Sequence, residues 1–370
     1  MSSDLERRLE SLLAEAPEPE PGAGEEALHR ALQALRPVAA PRRALRAGVL
    51  AFAAAVILLV IAAGSLGAAG ALHVSFGSKT QARPTTIPLS LPKGANGIAA
   101  IVDGRLSVVI RGGFRMEGLS ASAAALSPHA LYIAAGIGNS LVAMAPDGRR
   151  AWSHPAGGKV VAIAWAPDGF RIAYIVHAGR RFVLRVIYGN GRHDVPLDRS
   201  VRPALPSWRA DSLALAYVSA GGKPIVYDLG HESRQVVATR AKGDVRQVAF
   251  APQGKLLAVA TRSQVGMLLL QSGLNDLEGR GQIAGIGWTG RWFAVAHGGA
   301  HPVVSLTGNP QLATIHPRGT ITALGADGHG IALAISTASG TRVVAAAHGD
   351  RVGTVLRVPG RPSIRDLQLG

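Results

Sequence analysis

The sequence predicts an all-β chain built from a repeated four-stranded unit, and three observations carry that prediction. The stretch Trp165-Ala-Pro-Asp-Gly-Phe-Arg-Ile-Ala-Tyr174 reads as a strand, a tight turn and a second strand. Versions of it return along the chain, and their anchors Leu126, Trp165, Trp208, Phe250, Trp288, Leu324 and Leu369 lie 39, 43, 42, 38, 36 and 45 residues apart. Between anchors, Asp147-Gly148, Asn190-Gly191 and Gly349-Asp350 supply the turn of a second hairpin. A period near 40 filled with short strands is that of a β-propeller, whose blades are four-stranded sheets around a central channel.

Each unit is read as strands a to d. Strand a precedes the anchor (Val160–Trp165), b follows the turn (Arg171–Val176), and c and d form the second hairpin. Asp103-Gly104, between Ile98–Val102 and Arg105–Ile110, has no anchor before it and reads as a c–d turn. The strand it lacks stands at the far end as Ile364-Arg-Asp-Leu-Gln-Leu369, which matches Val245-Arg-Gln-Val-Ala-Phe250. The last strand is therefore expected to complete a blade begun by the first ones, which removes the open sheet edge. Seven blades result, with six as the alternative because the Trp288 and Leu324 units are short.

Upstream of the repeats the composition changes. Residues 1–46 are expected to be a helical cytoplasmic segment: Ser2 or Ser3 can cap a helix carrying Leu5, Leu9, Leu12 and Leu13 on one stripe. Pro17-Glu-Pro-Glu-Pro-Gly22 ends it, and a second short helix carries Leu28, Leu32 and Leu35. From Ala47 to Leu72, 26 residues contain no ionisable group. As a helix they would extend about 39 Å, more than a hydrocarbon core of roughly 30 Å requires. Arg42, Arg43 and Arg46 sit just before this run, which places the N-terminus inside and the C-terminal part outside. A buried core helix and a cleaved signal peptide are the alternatives. The division is thus 1–46 cytoplasmic, 47–72 transmembrane, 73–92 linker and 93–370 propeller.

The core motifs Trp165-Ala-Pro-Asp-Gly-Phe-Arg-Ile-Ala-Tyr174 and Phe250-Ala-Pro-Gln-Gly-Lys-Leu-Leu-Ala258 resemble those of TolB-type, WD-repeat-like β-propellers over roughly residues 90–370. The resemblance implies an extracytoplasmic binding module or a lid on a peptidase; with the apolar run read as a span, the expectation is a non-enzymatic binding or sensing module on a single-pass anchor in a bacterial plasma membrane. The order of short inside segment, span and outside domain is also similar to that of transmembrane anti-sigma regulators. Their zinc motif cannot be present, since the chain has no cysteine.

Enzymatic chemistry finds little support in the residues. No G-x-S-x-G elbow occurs. Asp103, Asp147, Asp168 and Asp327 each precede glycine, where the carboxylate serves a turn. His297 and His301 flank Gly-Gly-Ala in an expected loop, too few ligands for a metal site. No cofactor motif is present.

Charge is the feature left over. The net charge is +16, and after residue 73 there are 32 basic residues against 15 acidic ones. In an up-and-down blade the a–b and c–d turns share one face of the disc, and the b–c turns and d–a connections share the other. On the first face arginines come with acids: Asp103 with Arg105, Asp147 with Arg149, Asp168 with Arg171, Arg209 with Asp211. On the second, Arg115, Lys159, Arg180, Arg181, Arg199, Arg202, Lys223, Arg240, Lys242, Arg318, Arg342 and Arg361 face only Glu117, Asp198 and Asp244. Arg180, Arg181, Arg199, Arg202, Lys223, Arg240, Lys242, Arg318 and Arg342 are the candidate ligand-binding set. Such clustering suits a protein's acidic patch, an anionic envelope glycopolymer or lipid headgroups, and an external location argues against nucleic acid. The alternative function is a signalling regulator whose leucine stripes hold a cytoplasmic transcription factor.

Overall fold

The structure, a computed structural model, describes residues 91, 95–111, 114–270, 274–290, 292–299, 302–307, 314–327, 330–347, 353–358 and 363–369. The expected cytoplasmic segment, the apolar run 47–72 and the connector up to residue 90 lie outside them. Among the described residues no helix is long and apolar enough to cross a membrane.

Twenty-eight strands form seven four-stranded antiparallel sheets. Blade 1 joins β28 (Ile364–Leu369) to β1 (Gly97–Val102), β2 (Arg105–Ile110) and β3 (Phe114–Ser120). Blade 2 is β4 (Ala124–Leu126), β5 (Ile133–Ile137), β6 (Ser140–Met144) and β7 (Arg150–Pro155). Blade 3 is β8 (Lys159–Trp165), β9 (Arg171–Ala178), β10 (Arg181–Tyr188) and β11 (Val195–Asp198). Blade 4 is β12 (Ser207–Trp208), β13 (Ala214–Val218), β14 (Pro224–Asp228) and β15 (Ser233–Val236). Blade 5 is β16 (Gln247–Phe250), β17 (Leu256–Ala260), β18 (Gln264–Leu269) and β19 (Leu274–Arg280). Blade 6 is β20 (Ile283–Thr289), β21 (Trp292–His297), β22 (Val303–Thr307) and β23 (Thr314–Ile315). Blade 7 is β24 (Thr320–Asp327), β25 (Gly330–Thr337), β26 (Gly340–Ala347) and β27 (Gly353–Val358). The count is seven, and the six-blade alternative falls.

The expected closure is present. β28 pairs antiparallel with β1, matching Ile98 to Leu369 and Val102 to Ile364. The seam is pinned again where Asp103 N–H donates to Ser363 O and Asp103 Oδ1 accepts from Ser363 N–H. One expectation is corrected. Because the far end contributes a single strand, Asp103-Gly104 connects β1 to β2 and is a b–c turn. Asp103 and Arg105 therefore sit on the face opposite to the one expected.

Each blade has two buried faces, so the second strands are near-continuous apolar runs. Alternation along them sorts residues by size. In β9, Ile172, Tyr174 and Val176 pack toward blade 2, and Ala173 and Ile175 toward blade 4. In β13, Leu215 and Tyr217 face blade 3, while Ala214, Ala216 and Val218 face blade 5. In β21, Phe293 and Val295 face blade 5, and Ala294 and Ala296 face blade 7. In β25, Ile331, Leu333 and Ile335 face blade 6, and Ala332 and Ala334 face blade 1. Seven apolar clusters result, one between each neighbouring pair of blades. Large side chains of one sheet interdigitate with alanines of the next, which suits wedge-shaped blades.

At the axis the inner strands approach closely. A Cβ on Gly325 of β24 would come within 2.3 Å of Leu367 O in β28, so only glycine fits. The size rule has a testable consequence. Ala216→Leu should cost about 1–3 kcal/mol by overpacking the blade 4–5 interface. Gly221→Ala, where a Cβ meets nothing within 4 Å, should stay within about 0.5 kcal/mol of the parent. Denaturant melts compare the two, and equal midpoints would contradict the packing argument.

Candidate functional site

Turn chemistry occupies several of the acids. Asp147 Oδ1 accepts from Arg149 N–H, Asp168 Oδ1 from Phe170 N–H, Asp211 Oδ1 from Leu213 N–H and Asp198 Oδ1 from Ser200 N–H. These are Asx turns, in which the side chain stands in for a backbone acceptor. The side chain of Asp327 lies outside the described residues; its strand continues three residues past Leu324, and the turn comes later than the motif suggests. His297 ends β21, and burial pushes its imidazole down from the usual range. His301 is outside the described residues. Among the described residues no three His, Asp or Glu side chains gather as a metal site would need.

The a–b face carries a feature that sequence reasoning missed. The anchors Leu126, Trp165, Trp208, Phe250, Trp288 and Leu324, with Leu205, Leu367 and Gln368, line an axial well of about 490 Å³. Among the described residues that line it, none is charged. Trp208 Nε1–H donates to Ala164 O and Trp288 Nε1–H to Ala249 O, each the residue before the previous blade's anchor. Gln368 Nε2–H donates to Ile163 O and so joins blade 1 to blade 3 past the short β4. The repeated tryptophans thus pack as expected, and the same packing lines the well. A recurring apolar anchor reads as core from sequence, because its distance from the axis is not written in the spacing.

The b–c face carries the expected cations. Arg180 and Arg181 lie at the b–c turn of blade 3, and Lys223 at that of blade 4. Arg199 and Arg202 lie between blades 3 and 4, Arg240 and Lys242 between blades 4 and 5, and Arg318 between blades 6 and 7. Arg342 starts β26 from the same side, half-buried, with an enclosed Nε that has no partner. Arg180, Arg181, Arg199, Lys223, Arg240 and Lys242 are exposed, and none of these six makes an ion pair among the described residues. Arg202 is different: its Nη2 donates to Asp244 Oδ2 at 2.7 Å. Arg115 belongs to β3, which begins at the a–b face rather than here. A polar cleft of about 580 Å³ opens beside this rim between blades 1 and 3, with Lys159, Ser120 and Asn139 on its wall.

On the a–b face charges are largely paired. Arg171 Nη2 donates to Asp168 at 3.1 Å and its guanidinium lies 5.9 Å from the Trp208 ring. Arg209 Nε donates to Asp211 at 2.8 Å. Between the two faces, two polar clusters bind blades together. Asp194, its side chain 8% exposed, accepts from Arg185 Nη2 at 2.6 Å and from Tyr174 Oη at 2.8 Å, and lies 3.0 Å from His154 Nε2 of blade 2. Asp198 of blade 3 accepts from Tyr217 Oη and Arg234 Nε of blade 4. Burial opposes the Asp194 charge, but Arg185, Tyr174 and His154 outweigh it and hold the carboxyl below its usual range. Burial and then Asp194 push the Tyr174 hydroxyl up. A carboxyl depressed in the folded state stabilises above its unfolded pKa of about 3.9 and loses that contribution as pH falls through the folded value. Asp211, Asp228 and Asp244 shift in the same direction. Asp194→Asn should therefore cost roughly 2–3 kcal/mol at neutral pH and flatten the acid decline below about pH 4. Thermal melts across pH test this, and an acid slope as steep as the parent's would refute it.

No family model matches the chain. Over 100 residues it is 33% identical to the Tol-Pal system protein TolB of Chromobacterium violaceum, a match covering 25% of this chain and 23% of that protein. It spans less than a quarter of that relative's length. The crystal structure of TolB from Acinetobacter baumannii superposes with a TM-score of 0.50 at 14% identity, over 74% of this chain and 66% of that one. A chain of the mitotic checkpoint complex superposes with a TM-score of 0.51 at 14% identity, over 72% of this chain and 96% of the other. The fold of this chain, a seven-bladed propeller closed by its last strand, is thus similar to that of TolB.

Proposed function

We propose that this chain is a non-enzymatic binding module of a bacterial envelope, held by a single span at 47–72, whose b–c face docks a negatively charged protein surface or envelope glycopolymer. One observation carries the reading. Arg180, Arg181, Arg199, Lys223, Arg240 and Lys242 stand exposed across three adjacent blades with no ion pair among the described residues, whereas Arg171 and Arg209 on the opposite face pair with Asp168 and Asp211. Exposed cations of this kind focus potential outward and accelerate the arrival of anionic partners. The similarity to a protein named for the Tol-Pal system supports an envelope setting. The division into segment, span, linker and propeller belongs to the same proposal.

Reversing Arg180, Arg181, Arg199 and Lys223 to Glu should lower affinity for a labelled polyglutamate probe roughly tenfold or more. The parent's binding should weaken with salt. Arg149→Glu with Arg192→Glu, on the other face, should change it little. Fluorescence anisotropy reads all three, and equal affinity of the reversed and parent proteins would dispose of the proposal. The stripes Leu5–Leu13 and Leu28–Leu35 favour a second reading, a regulator that holds a transcription factor. Recovery of a sigma-type factor with the full-length chain, lost on Leu9→Asp and Leu32→Asp, supports it; recovery of none rejects it.

A further inference from the structure

We infer that the face bearing the a–b turns is a lipid-docking surface, on which the propeller rests against a bilayer. This deepens the membrane-anchored reading above and rests on it. The large apolar side chains that remain exposed among the described residues are distributed unevenly. Phe170 (74% exposed), Leu131 (62%), Leu213 (46%) and Tyr132 (44%) all stand in the a–b turns of blades 2, 3 and 4. Tyr188 lies at the same end of β10, and Leu205 lines the axial well. At the b–c end Val236 alone is of this kind.

The turns that carry them are coupled between neighbouring blades. The Tyr132 ring stacks on Trp165 with centroids 6.5 Å apart. Asp168 N–H donates to Ser212 Oγ, the residue before Leu213, and so couples the turn of blade 3 to that of blade 4. Exposed patches of this composition mark interaction surfaces, and Trp and Tyr beside aliphatic side chains match the headgroup boundary.

Charge on this face suits a bilayer as well. Asp168 and Asp211 are engaged by Arg171 and Arg209, so fewer bare acids oppose approach to a surface. Arg192 and Lys255, exposed in turns of this face, are cations that suit anionic headgroups. β1 is a second strand, so its first residues, with Ala95 and Asn96 before them, lie at the a–b end of blade 1. A lipid surface explains the position of the patch and its aromatic composition, and residues 95–97, which open the propeller, lie on that same side. The cationic face is thereby left to the external partner.

The chain has no cysteine, which permits single-site labelling of the full-length protein. Leu131→Cys, Phe170→Cys and Leu213→Cys on one face, and Arg180→Cys, Arg199→Cys and Arg240→Cys on the other, would carry an environment-sensitive fluorophore in anionic lipid nanodiscs. Thermal melts establish that each variant folds. Labels at 131, 170 and 213 should be shielded several-fold from iodide relative to detergent, and quenched by nitroxide lipids. Labels at 180, 199 and 240 should remain open to iodide. Equal access on both faces, or shielding of the arginine face instead, overturns the inference while leaving the tether intact. Shielding that requires an added envelope protein also overturns it and assigns the patch to that protein. Alkaline carbonate extraction reports the tether separately: release from native membranes removes the span, and this inference with it.

Discussion

The fold depends on one packing constraint, the meeting of large and small side chains at the blade interfaces, most clearly sorted in blades 4, 6 and 7. A second strand such as Ala214–Val218 is buried on both faces, so neither face can be polar. Wedge-shaped sheets in a ring must also fit without voids, and the alternation of Leu215 and Tyr217 with Ala214 and Ala216 meets that need. Burying a Leu- or Ile-sized side chain contributes about 1.5–3 kcal/mol. Spread over seven clusters, this cohesion leaves no single central core. The axis is consequently free to become a well, and the turns are free to carry charge or exposed apolar groups.

Closure decides what faces where. Because one strand comes from the far end of the sequence and three from the near end, the chain enters blade 1 through its second strand. That entry sets Asp103-Gly104 on the b–c face and places residues 95–97 at the opposite end. Each face then acquires its own chemistry. Exposed aromatic and aliphatic side chains gather around the uncharged well, while unpaired Arg and Lys line the opposite rim of blades 3 to 5. Polar clusters around Asp194 and Asp198 tie blade 2 to blade 3 and blade 3 to blade 4 between the two surfaces.

Much of this was legible in the residues. The blade period, the closing strand, the Asx turns and the side of the disc holding Arg180, Arg199 and Lys242 all follow from strand alternation and turn chemistry, which are local. What escaped were features made by residues far apart in the chain. His154 meets Asp194 across 40 positions, and Arg202 meets Asp244 across 42. Gln368 reaches Ile163 across 205. No spacing rule announces such pairs, since they depend on the angle at which neighbouring sheets meet.

Sequence by itself determined the repeat, the means of closure and the excess of positive charge, because each is a matter of period and composition; the choice of seven blades over six came from the structure. Tertiary structure alone decided that the anchors wall a well, that Arg202 is neutralised while Arg199 stands bare, and that Leu131, Phe170 and Leu213 share one surface. The physical reason is that a strand's pattern specifies which way a side chain points. What it then meets is set by the neighbouring blade.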